Sequence, residues 1–403
     1  MQDLTQVPMS LFTPEVDWSP PSDLPELSNY QEVAIDLETH DPLLLSHGPS
    51  WAFADTGHVT GIAVATKDFS YYFPIGHKGG GNLDEGLIKR WLTKQLSYNN
   101  DKIFHNSLYD LGWLKRMGIE VNGKVHDTMF AAPLIDENQY GYSLNKLGER
   151  YVGEVKDESL LKEAASAYGL DPKKDMWKLP AKYVGVYAEQ DAALTLKLWE
   201  IFKELLRLEN VEAIYELETS LIPILLEMRY KGVPVDLDKA EKVGKQLKKE
   251  EVNILTNIKK EHGVYPDLWA AASVATVFDR AGLSYPRSPK LNAPSFTSAW
   301  LESHDSKLAK DIGRARKLNK ARTTFIDKMI LEHSVNGRIH GELHPLRSDT
   351  GGTVTGRFSS SNPNLQQVPA RHDMIGPLVR SVFVPEKDHY WGCRLSPNSS
   401  RYG

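Results

Sequence analysis

The spacing of hydrophobic residues changes near residue 209 and divides this sequence into two parts. Before that point, short segments such as EVAIDLET alternate apolar and polar residues with a period of two, and segments with helical spacing follow them. Strands followed by alternating strand and helix predict an α/β domain with a mixed sheet and flanking helices. From residue 209 onward, long segments keep the helical spacing, which predicts a mainly α-helical region.

Individual elements follow from the same two periods. The predicted strands are EVAIDLET, the two halves of GHVTGIAVATKDFSYYFPIGH and the short buried KIFHN. The predicted helices of the first part are LDEGLIKRWLTKQL, SLYDLGWLKRMG and VGVYAEQDAALTLKLWEIFKELLRLE. The second part begins with three amphipathic helices, YELETSLIPILLEMRYKG, LDKAEKVGKQLKKEEVNILTNIKKEHG and LAKDIGRARKLNKARTTFIDKMILEH, and strand character returns in GRIHGELHPLR.

Composition excludes several classes of protein. With 41% hydrophobic and 25% charged residues, the chain of 403 residues is neither disordered nor fibrous. The net charge of −5 gives no global basic signature, so nucleic-acid binding requires local patches. The single cysteine, Cys393, allows no intramolecular disulfide and no cysteine zinc site. The polar, proline-rich N-terminus does not resemble a signal peptide and no apolar run reaches about 18 residues, so we expect a cytoplasmic protein without membrane contact.

Two pairs of polar residues lie at spacings that place their side chains together. Asp36 and Glu38 are two apart in a predicted strand and therefore project from the same face. Asn106 and Asp110 are four apart at the start of a predicted helix, with Asn106 at the expected N-cap position. Each pair alone is typical of a solvated polar surface, because short motifs often match by chance.

A third pair indicates that the first two belong to one site. Tyr187 and Asp191 are also four apart on a predicted helix, so that three elements each offer an acid. Hard divalent cations such as Mg²⁺ and Mn²⁺ prefer oxygen ligands, and two of them about 4 Å apart can hold both the attacking and the leaving oxygen of a phosphodiester. The absence of paired histidines argues against zinc, and no serine has the G-x-S-x-G context of a hydrolase nucleophile.

The segments AIDLET, HNSLYDLGWL and YAEQDAALT resemble, in order and spacing, the three exonuclease motifs of the DEDD superfamily. The Tyr-x-x-x-Asp form marks the tyrosine branch, to which the proofreading domains of family A DNA polymerases belong. This resemblance implies an RNase H-like 3′-to-5′ exonuclease that uses two divalent cations, Mg²⁺ or Mn²⁺, to release nucleotide monophosphates from single-stranded 3′ ends of DNA.

The same resemblance assigns roles to individual residues. Four carboxylates would be metal ligands: Asp36, Glu38, Asp110 and Asp191. Tyr187 would orient the attacking water, Asn106 would help to place the substrate, and Asp127 in HDTM would give structural support.

The second part also resembles family A DNA polymerases. LETSLIPILLEMRYKGVPVD is similar to the helix that joins the exonuclease to the polymerase, and RARKLNKARTTFIDKM is similar to a thumb helix. TGRFSSSNPNLQQVP resembles the opening of the palm, which lies along the primer and template. It implies DNA contacts by Arg357, Asn364 and Gln366, and LVRSVFVPE continues the pattern with Arg380. Between residues 311 and 371 there are ten Lys or Arg against five Asp or Glu, although such a basic run is most often a solvated helix face.

These resemblances give the expected domain organisation. We expect an extended lead-in over residues 1–25, an exonuclease domain over 26–208, a helical linker and thumb over 209–336, the first strands of an incomplete palm over 337–391, and an off-pattern tail over 392–403.

The end of the sequence leaves three functions open. No Asp or Glu follows Asp388, and the residues HYWGCRLSPNSSRYG depart from the polymerase pattern, so we expect a truncated or frameshifted reading frame without a polymerase centre. The first function is that of a metal-dependent exonuclease, from a phage-type polymerase in a bacterial or phage-infected cytoplasm. The alternatives are a noncatalytic DNA-binding fragment, and one part of a split polymerase whose missing portion or replication partner is a separate chain.

Overall fold

The protein is described from a computed structural model, which covers residues 13–349, 351–370 and 374–386. The chain divides into two compact units: the first comprises Met1–Lys231 and Gly341–Asn362, and the second comprises Gly232–His340 and Pro363–Gly403. Cys393, Asp388 and the predicted tail over 392–403 lie outside the described residues. The predicted domain boundaries stay predictions.

Within the described residues there are ten strands: β1 Glu32–His40, β2 His58–Ala65, β3 Ser70–Pro74, β4 Asp101–Phe104, β5 Val125–Asp127, β6 Val233–Pro234, β7 Ser334–Val335, β8 Arg338–Ile339, β9 Glu342–His344 and β10 Ser359–Ser361. The α-helices of the described residues are α1 Leu44–His47, α2 Glu85–Leu96, α3 Ser107–Arg116, α4 Thr128–Ile135, α5 Leu144–Leu147, α6 Ser159–Ala167, α7 Gly185–Leu208, α8 Glu212–Ser220, α9 Ile222–Lys231, α10 Leu237–His262, α11 Ala271–Arg280, α12 Ser298–Ser303, α13 Lys307–Lys320 and α14 Ile375–Arg380.

The first unit is built around a five-stranded mixed sheet in the order β3-β2-β1-β4-β5. β1 pairs antiparallel with β2, and β2 with β3, whereas β1 with β4 and β4 with β5 are parallel. The central strands carry almost fully buried apolar residues, including Ile35, Val64 and Ile103. Helix α7 packs across β1, β2 and β3. The predicted fold class, an α/β domain with a mixed sheet and flanking helices, is confirmed.

Several predicted helices of the first part have the expected extent, but the first helix predicted for the second part does not. The segment YELETSLIPILLEMRYKG forms two helices, α8 and α9, which are separated at Leu221. Pro223 lies in the first turn of α9, where a missing backbone N–H breaks no helical hydrogen bond, whereas the interior of a continuous helix would not tolerate it. A proline just inside the start of a helix is the sign that favours two helices here.

The second unit is mainly helical, as the sequence predicts. Its longest helix, α10, begins at the N-cap Asp236, whose side chain accepts a hydrogen bond from Lys239 N at 2.9 Å. One hydrophobic cluster joins α10 to α11, α12 and α13, and a second joins α10 to α14. Helix α13 continues into a π-helical segment, Ala321–Glu332, and a small sheet has the order β6-β8-β7. No helix in the described ranges is long and apolar enough to cross a membrane.

Candidate active site

The predicted acid pair lies on the central strand of the sheet. Glu38 on β1 is only 7% exposed and Asp36 is partly buried. On the neighbouring strand β2, Asp36 stands opposite Ala63 and Glu38 opposite Gly61, so small residues face both acids. The pairing shifts by one residue immediately after Glu38, which is a β-bulge of the kind that redirects a strand beside a site. Glu38 is therefore buried and Asp36 partly buried, so the pair is not part of a solvated face.

Helix α3 brings the third acid to this strand. Asp110 is 3% exposed, and its Oδ1 accepts a hydrogen bond from Leu37 N at 3.1 Å, between the two acids of β1. Because an unpaired carboxylate is costly to bury, this hydrogen bond both stabilises Asp110 and fixes its distance from Asp36 and Glu38.

The start of α3 has the predicted N-cap residue, but its free N–H groups bind a side chain from another element. Asn106 stands at the N-cap position with a positive φ of 71°, and its side chain makes no capping hydrogen bond. Instead Asp127, at the end of β5, accepts hydrogen bonds from Asn106 N at 3.1 Å and from Ser107 N at 2.7 Å. Asn106 thus occupies the predicted N-cap position, but a carboxylate from a neighbouring strand binds the free N–H groups in place of its side chain. Asp127 gives the structural support that the sequence suggests.

Helix α7 completes the site from above the sheet. Tyr187 and Asp191 lie one turn apart, and Asp191 is 5% exposed. Carboxylate oxygens of Asp36, Glu38 and Asp191 all lie within 4.8 Å of one another. The structure therefore brings together three of the predicted acids on two elements, with Asp110 held beside them by its bond to β1.

Lys156 is a member of the site that sequence reasoning missed. Its Nζ lies 2.6 Å from Asp191 Oδ2 and donates a hydrogen bond to the Tyr187 hydroxyl at 3.1 Å. The ammonium also lies 4.5 Å from the centroid of the Tyr187 ring, and the side chain is only 8% exposed. Lys156 belongs to a loop with no periodic pattern, and no spacing links it to the acids, so the sequence carries no signal for this contact.

The buried acids perturb one another. Burial, together with the charge of Asp191, raises the pKa of Asp36 to about 7, although the ammonium of Lys156 opposes this rise. Burial also raises the pKa values of Glu38, Asp110 and Asp191. Because burial disfavours the ionised form of these acids, a positive charge that takes the place of their protons would stabilise the cluster.

The phenol of Tyr187 is perturbed in the same direction. Burial, and then the negative charge of Asp191, raise its pKa above the ordinary tyrosine range. The phenol therefore keeps its proton at neutral pH. It can hold a water molecule by a hydrogen bond but cannot act as a base.

The chemistry of this donor set fits hard divalent cations. The nearest side-chain donors are carboxylate oxygens, which suit Mg²⁺ and Mn²⁺ better than zinc. Among the residues that the structure describes, Asp191 Oδ1 has no hydrogen-bond partner although it is buried. A buried carboxylate oxygen without a donor is costly, and a bound cation would satisfy it.

A cavity of about 550 Å³ in the first unit opens beside Glu38. Its lining includes Glu38, Thr39, Asn106 and Tyr109, and the Thr39 and Tyr109 hydroxyls are 2.6 Å apart. Cavities of several hundred Å³ that combine apolar walls with a few polar groups are typical of small-ligand sites. Asn106 thus lines this cavity together with Glu38.

The other predicted DNA-contacting residues are divided between the two units. Arg357 is exposed in the first unit. In the second unit, the Asn364 side chain accepts a hydrogen bond from Gln366 N at 3.1 Å and begins a short helical turn, Leu365–Gln367. Arg380 donates a hydrogen bond from Nε to a backbone carbonyl at 3.1 Å. Asn364 and Arg380 thus have local structural partners.

The basic run on α13 is largely engaged in contacts within the second unit. Arg314 approaches Glu250 at 3.4 Å, and Lys317 pairs with Glu302 at 2.7 Å. Arg316 donates hydrogen bonds to two backbone carbonyls. These contacts match the solvated, ion-paired helix face that such a run most often forms.

Comparison with known families matches both parts of the chain. A family described as 3′-5′ exonuclease matches residues 24–207, and a family described as DNA polymerase family A matches residues 237–394. The first match contains every carboxylate of the site.

Individual relatives agree with these families. A DNA-directed DNA polymerase of Pseudomonas phage M6 is 36% identical over 400 residues, which cover 95% of this chain and 60% of that protein. A DNA polymerase I of Synechocystis sp. is 31% identical over 327 residues, which cover 79% of this chain and 32% of that protein. The chain thus spans about 60% of the length of the phage relative.

A solved structure shares the fold. It is described as the POL domain of Pol1 from M. smegmatis in complex with DNA primer-template and dNTP. The TM-score is 0.66 at 20% sequence identity, and the match covers 89% of this chain and 56% of that one. This likeness supports the fold alone.

Proposed function

Since this chain belongs to the family A DNA polymerases and contains their 3′-5′ exonuclease domain with part of their polymerase domain, we propose that its buried carboxylates form a two-metal exonuclease site. The substrate would be a single-stranded 3′ end of DNA, and the product a nucleoside 5′-monophosphate. The observation that carries this proposal is the approach of Asp36, Glu38 and Asp191 to within 4.8 Å, with one buried oxygen of Asp191 unsatisfied by the described residues.

Four carboxylates would hold the two cations: Asp36, Glu38, Asp110 and Asp191. Bound Mg²⁺ or Mn²⁺ would lower the pKa of the attacking water and offset the negative charge that builds on the phosphate. The family match supports a nuclease in general, and the acid cluster supports this finer assignment.

The remaining residues would bind and orient. Tyr187 keeps its proton, so its hydroxyl would hold the water in line with the scissile phosphate. The water oxygen forms the new bond to phosphorus, the bond from phosphorus to the 3′ oxygen breaks, and the shortened strand leaves with a 3′ hydroxyl. Asn106 and the adjoining cavity would place the last nucleotide.

Selectivity would come from the DNA rather than from base recognition. A mispaired 3′ end separates from its template more readily than a paired one, so it enters a single-strand site at a lower cost. Four residues would hold the primer and template through contacts to the DNA backbone and groove: Arg357, Asn364, Gln366 and Arg380.

We expect no primer extension from these 403 residues by themselves, because they span only about 60% of the length of the phage DNA polymerase that they match. Primer extension by the purified chain would contradict this expectation. It would instead favour a polymerase that works with the residues present or with a copurified partner.

The proposed nuclease is tested with 5′-labelled single-stranded DNA in Mg²⁺, with EDTA as the metal-free reference. We expect Asp191→Asn to lower the rate of nucleotide release by more than about 100-fold, since it removes a metal-binding charge. Glu200→Gln is the matched control, because Glu200 is exposed on the same helix and should leave the rate unchanged. Gel retardation of DNA without metal-dependent release would overturn the nuclease and favour a noncatalytic DNA-binding protein.

A further inference from the structure

The position of Lys156 is fixed from both sides by helix α7. On one side of Lys156 in the chain, Glu154 pairs with Lys197 at 2.6 Å, and on the other side Asp157 N donates to Gln190 Oε1 at 3.3 Å. Both partners lie on the helix that carries Tyr187 and Asp191. The loop around Lys156 is therefore attached to the same element as the residues that its ammonium contacts.

The ammonium joins two groups that would serve different steps of the reaction. It lies 2.6 Å from Asp191 Oδ2 and 3.1 Å from the Tyr187 hydroxyl. One donor that contacts both side chains fixes the distance between the phenol and the carboxylate. Because Oδ2 of Asp191 is engaged by Lys156, the second oxygen, Oδ1, is the one left for a cation.

The same ammonium places a positive charge inside the proposed metal site. Its side chain is 8% exposed, so water screens this charge only weakly. In the metal-free protein it offsets part of the negative charge of the buried acids, which stabilises the cluster. When a divalent cation binds the same acids, the two positive charges repel each other, and the affinity for the cation falls.

We propose that Lys156 is a positioning residue of the exonuclease site and sets the affinity of that site for metal ions. This inference rests on the proposed function. Lys156 holds the Tyr187 hydroxyl and Asp191 in their working arrangement, and its charge weakens the binding of divalent cations. Lys156 thus places Tyr187 correctly but lowers the affinity of the site for divalent cations. If the role of Lys156 were purely structural, its replacement would neither raise the metal affinity nor lower kcat.

The first test measures Mn²⁺ binding to the purified protein without DNA, by electron paramagnetic resonance. We expect Lys156→Met to bind Mn²⁺ about tenfold more tightly than the natural chain, because the repelling charge is gone. Lys156→Arg keeps the charge and should stay within about twofold of the natural affinity. Lys162→Met removes an exposed lysine of the adjacent helix α6, which pairs with Glu158, and should leave the affinity unchanged. Unchanged or weaker binding by Lys156→Met overturns the inference.

The second test separates positioning from charge through turnover on single-stranded DNA. Lys156→Met should lower kcat by about 10- to 100-fold with an unchanged KM, since the tyrosine loses its partner while DNA binding is untouched. Lys156→Gln keeps a hydrogen-bond donor without the charge, so it should bind Mn²⁺ as tightly as Lys156→Met but lose less kcat. This second variant also decides the matter if Lys156→Met fails to fold. An unchanged kcat in both variants rejects the positioning role.

These results are distinguishable from a failure of the proposed function. If the natural chain binds no Mn²⁺ and releases no nucleotide, the two-metal nuclease is rejected, and the role of Lys156 with it. If the natural chain degrades DNA and Asp191→Asn does not, the nuclease stands, and the behaviour of the Lys156 variants alone decides the inference.

Discussion

The two units of this chain treat their charged residues in opposite ways. The first unit buries Glu38, Asp110 and Asp191, none of them more than 7% exposed, and gathers them around one strand. The second unit keeps most of its charges on helix surfaces, as in the pair Lys307 and Glu261, whose side chains are 67% and 50% exposed. Exposed pairs contribute little to stability, whereas buried acids are costly. The cost of burying like charges together is therefore the physical sign of a site in the first unit.

Glu251 sharpens this difference because it is a buried acid of the second unit. It is 8% exposed, accepts a hydrogen bond from Asn319 Nδ2 at 2.8 Å and faces Arg322 at 3.9 Å. Its neighbours are a neutral hydrogen-bond donor and a cation. Within the described residues, Glu251 does not belong to a cluster of acids. Burial alone thus does not mark a metal site, whereas burial of several acids beside one another does.

The largest expected effect comes from exchanging one buried acid in each unit for its amide. Glu38→Gln should lower the rate of nucleotide release from single-stranded DNA by more than about 100-fold, because it removes a charge from the proposed metal site. Glu251→Gln should leave this rate within about twofold and act on stability alone. Shortening of 5′-labelled single-stranded DNA in Mg²⁺, with circular dichroism as the check on folding, measures both variants. Equal losses of activity in the two variants would contradict the proposal that only the buried acids of the first unit serve the nuclease.

A smaller effect is expected from adding one methyl group to a helix of each unit. Gly185 begins α7, and a Cβ there would lie 2.0 Å from the indole of Trp18, whereas a Cβ at Gly313 on α13 would lie 3.5 Å from its nearest neighbour. Gly185→Ala should therefore destabilise the protein by about 2 kcal/mol through overpacking. Gly313→Ala should stabilise it by up to about 1 kcal/mol through helix propensity. Urea unfolding followed by circular dichroism measures both changes.

The outcome at Gly185 also bears on the N-terminal lead-in. Trp18 packs on the first turn of α7, and its Nε1 donates to Glu189 Oε1 at 3.1 Å. Since α7 carries Tyr187 and Asp191, a displaced Trp18 would disturb the acid site as well as stability. A Gly185→Ala variant with natural stability and natural nuclease activity would show that this contact is unimportant.

The residues of the site that sequence could predict are those fixed by local geometry. The two-residue spacing of Asp36 and Glu38 on a strand, and the four-residue spacing of Tyr187 and Asp191 on a helix, determine which side chains share a face. The mixed sheet and α7 follow from the same periods, and the structure confirms them.

The features that sequence could not predict depend on contacts between distant parts of the chain. Asp127 caps α3 from the neighbouring strand, and Lys156 reaches Asp191 across 35 positions. No period or capping rule relates such residues, because their approach is decided by how the elements pack. Asn106 stands at the expected N-cap position, but the acceptor for the free N–H groups is the Asp127 carboxylate, which no local pattern predicts.

The smallest predicted effect is a dependence of stability on pH that belongs to the first unit. Burial, and then Asp191, raise the pKa of Asp36 from about 3.8 to about 7. Between these two values the folded protein binds a proton that the unfolded chain does not, so stability falls as pH rises through this window and levels off above it. In EDTA, the free energy of unfolding should fall between about pH 6 and about pH 8 from this group, by on the order of 1 kcal/mol.

Variants assign this slope to one unit. Asp36→Asn has no carboxyl proton to lose at this position and should make the dependence of stability on pH shallower. Glu261→Gln alters an exposed acid of the second unit, whose pKa is lowered by its hydrogen bond to Lys307, and should leave the slope between about pH 6 and about pH 8 in place. Mg²⁺ should restore stability most at the higher pH, because the cation takes the place of protons that the acids have lost. A slope that survives unchanged in Asp36→Asn would mean that Asp36 does not govern it and would assign it to the other buried acids, whose pKa values burial also raises.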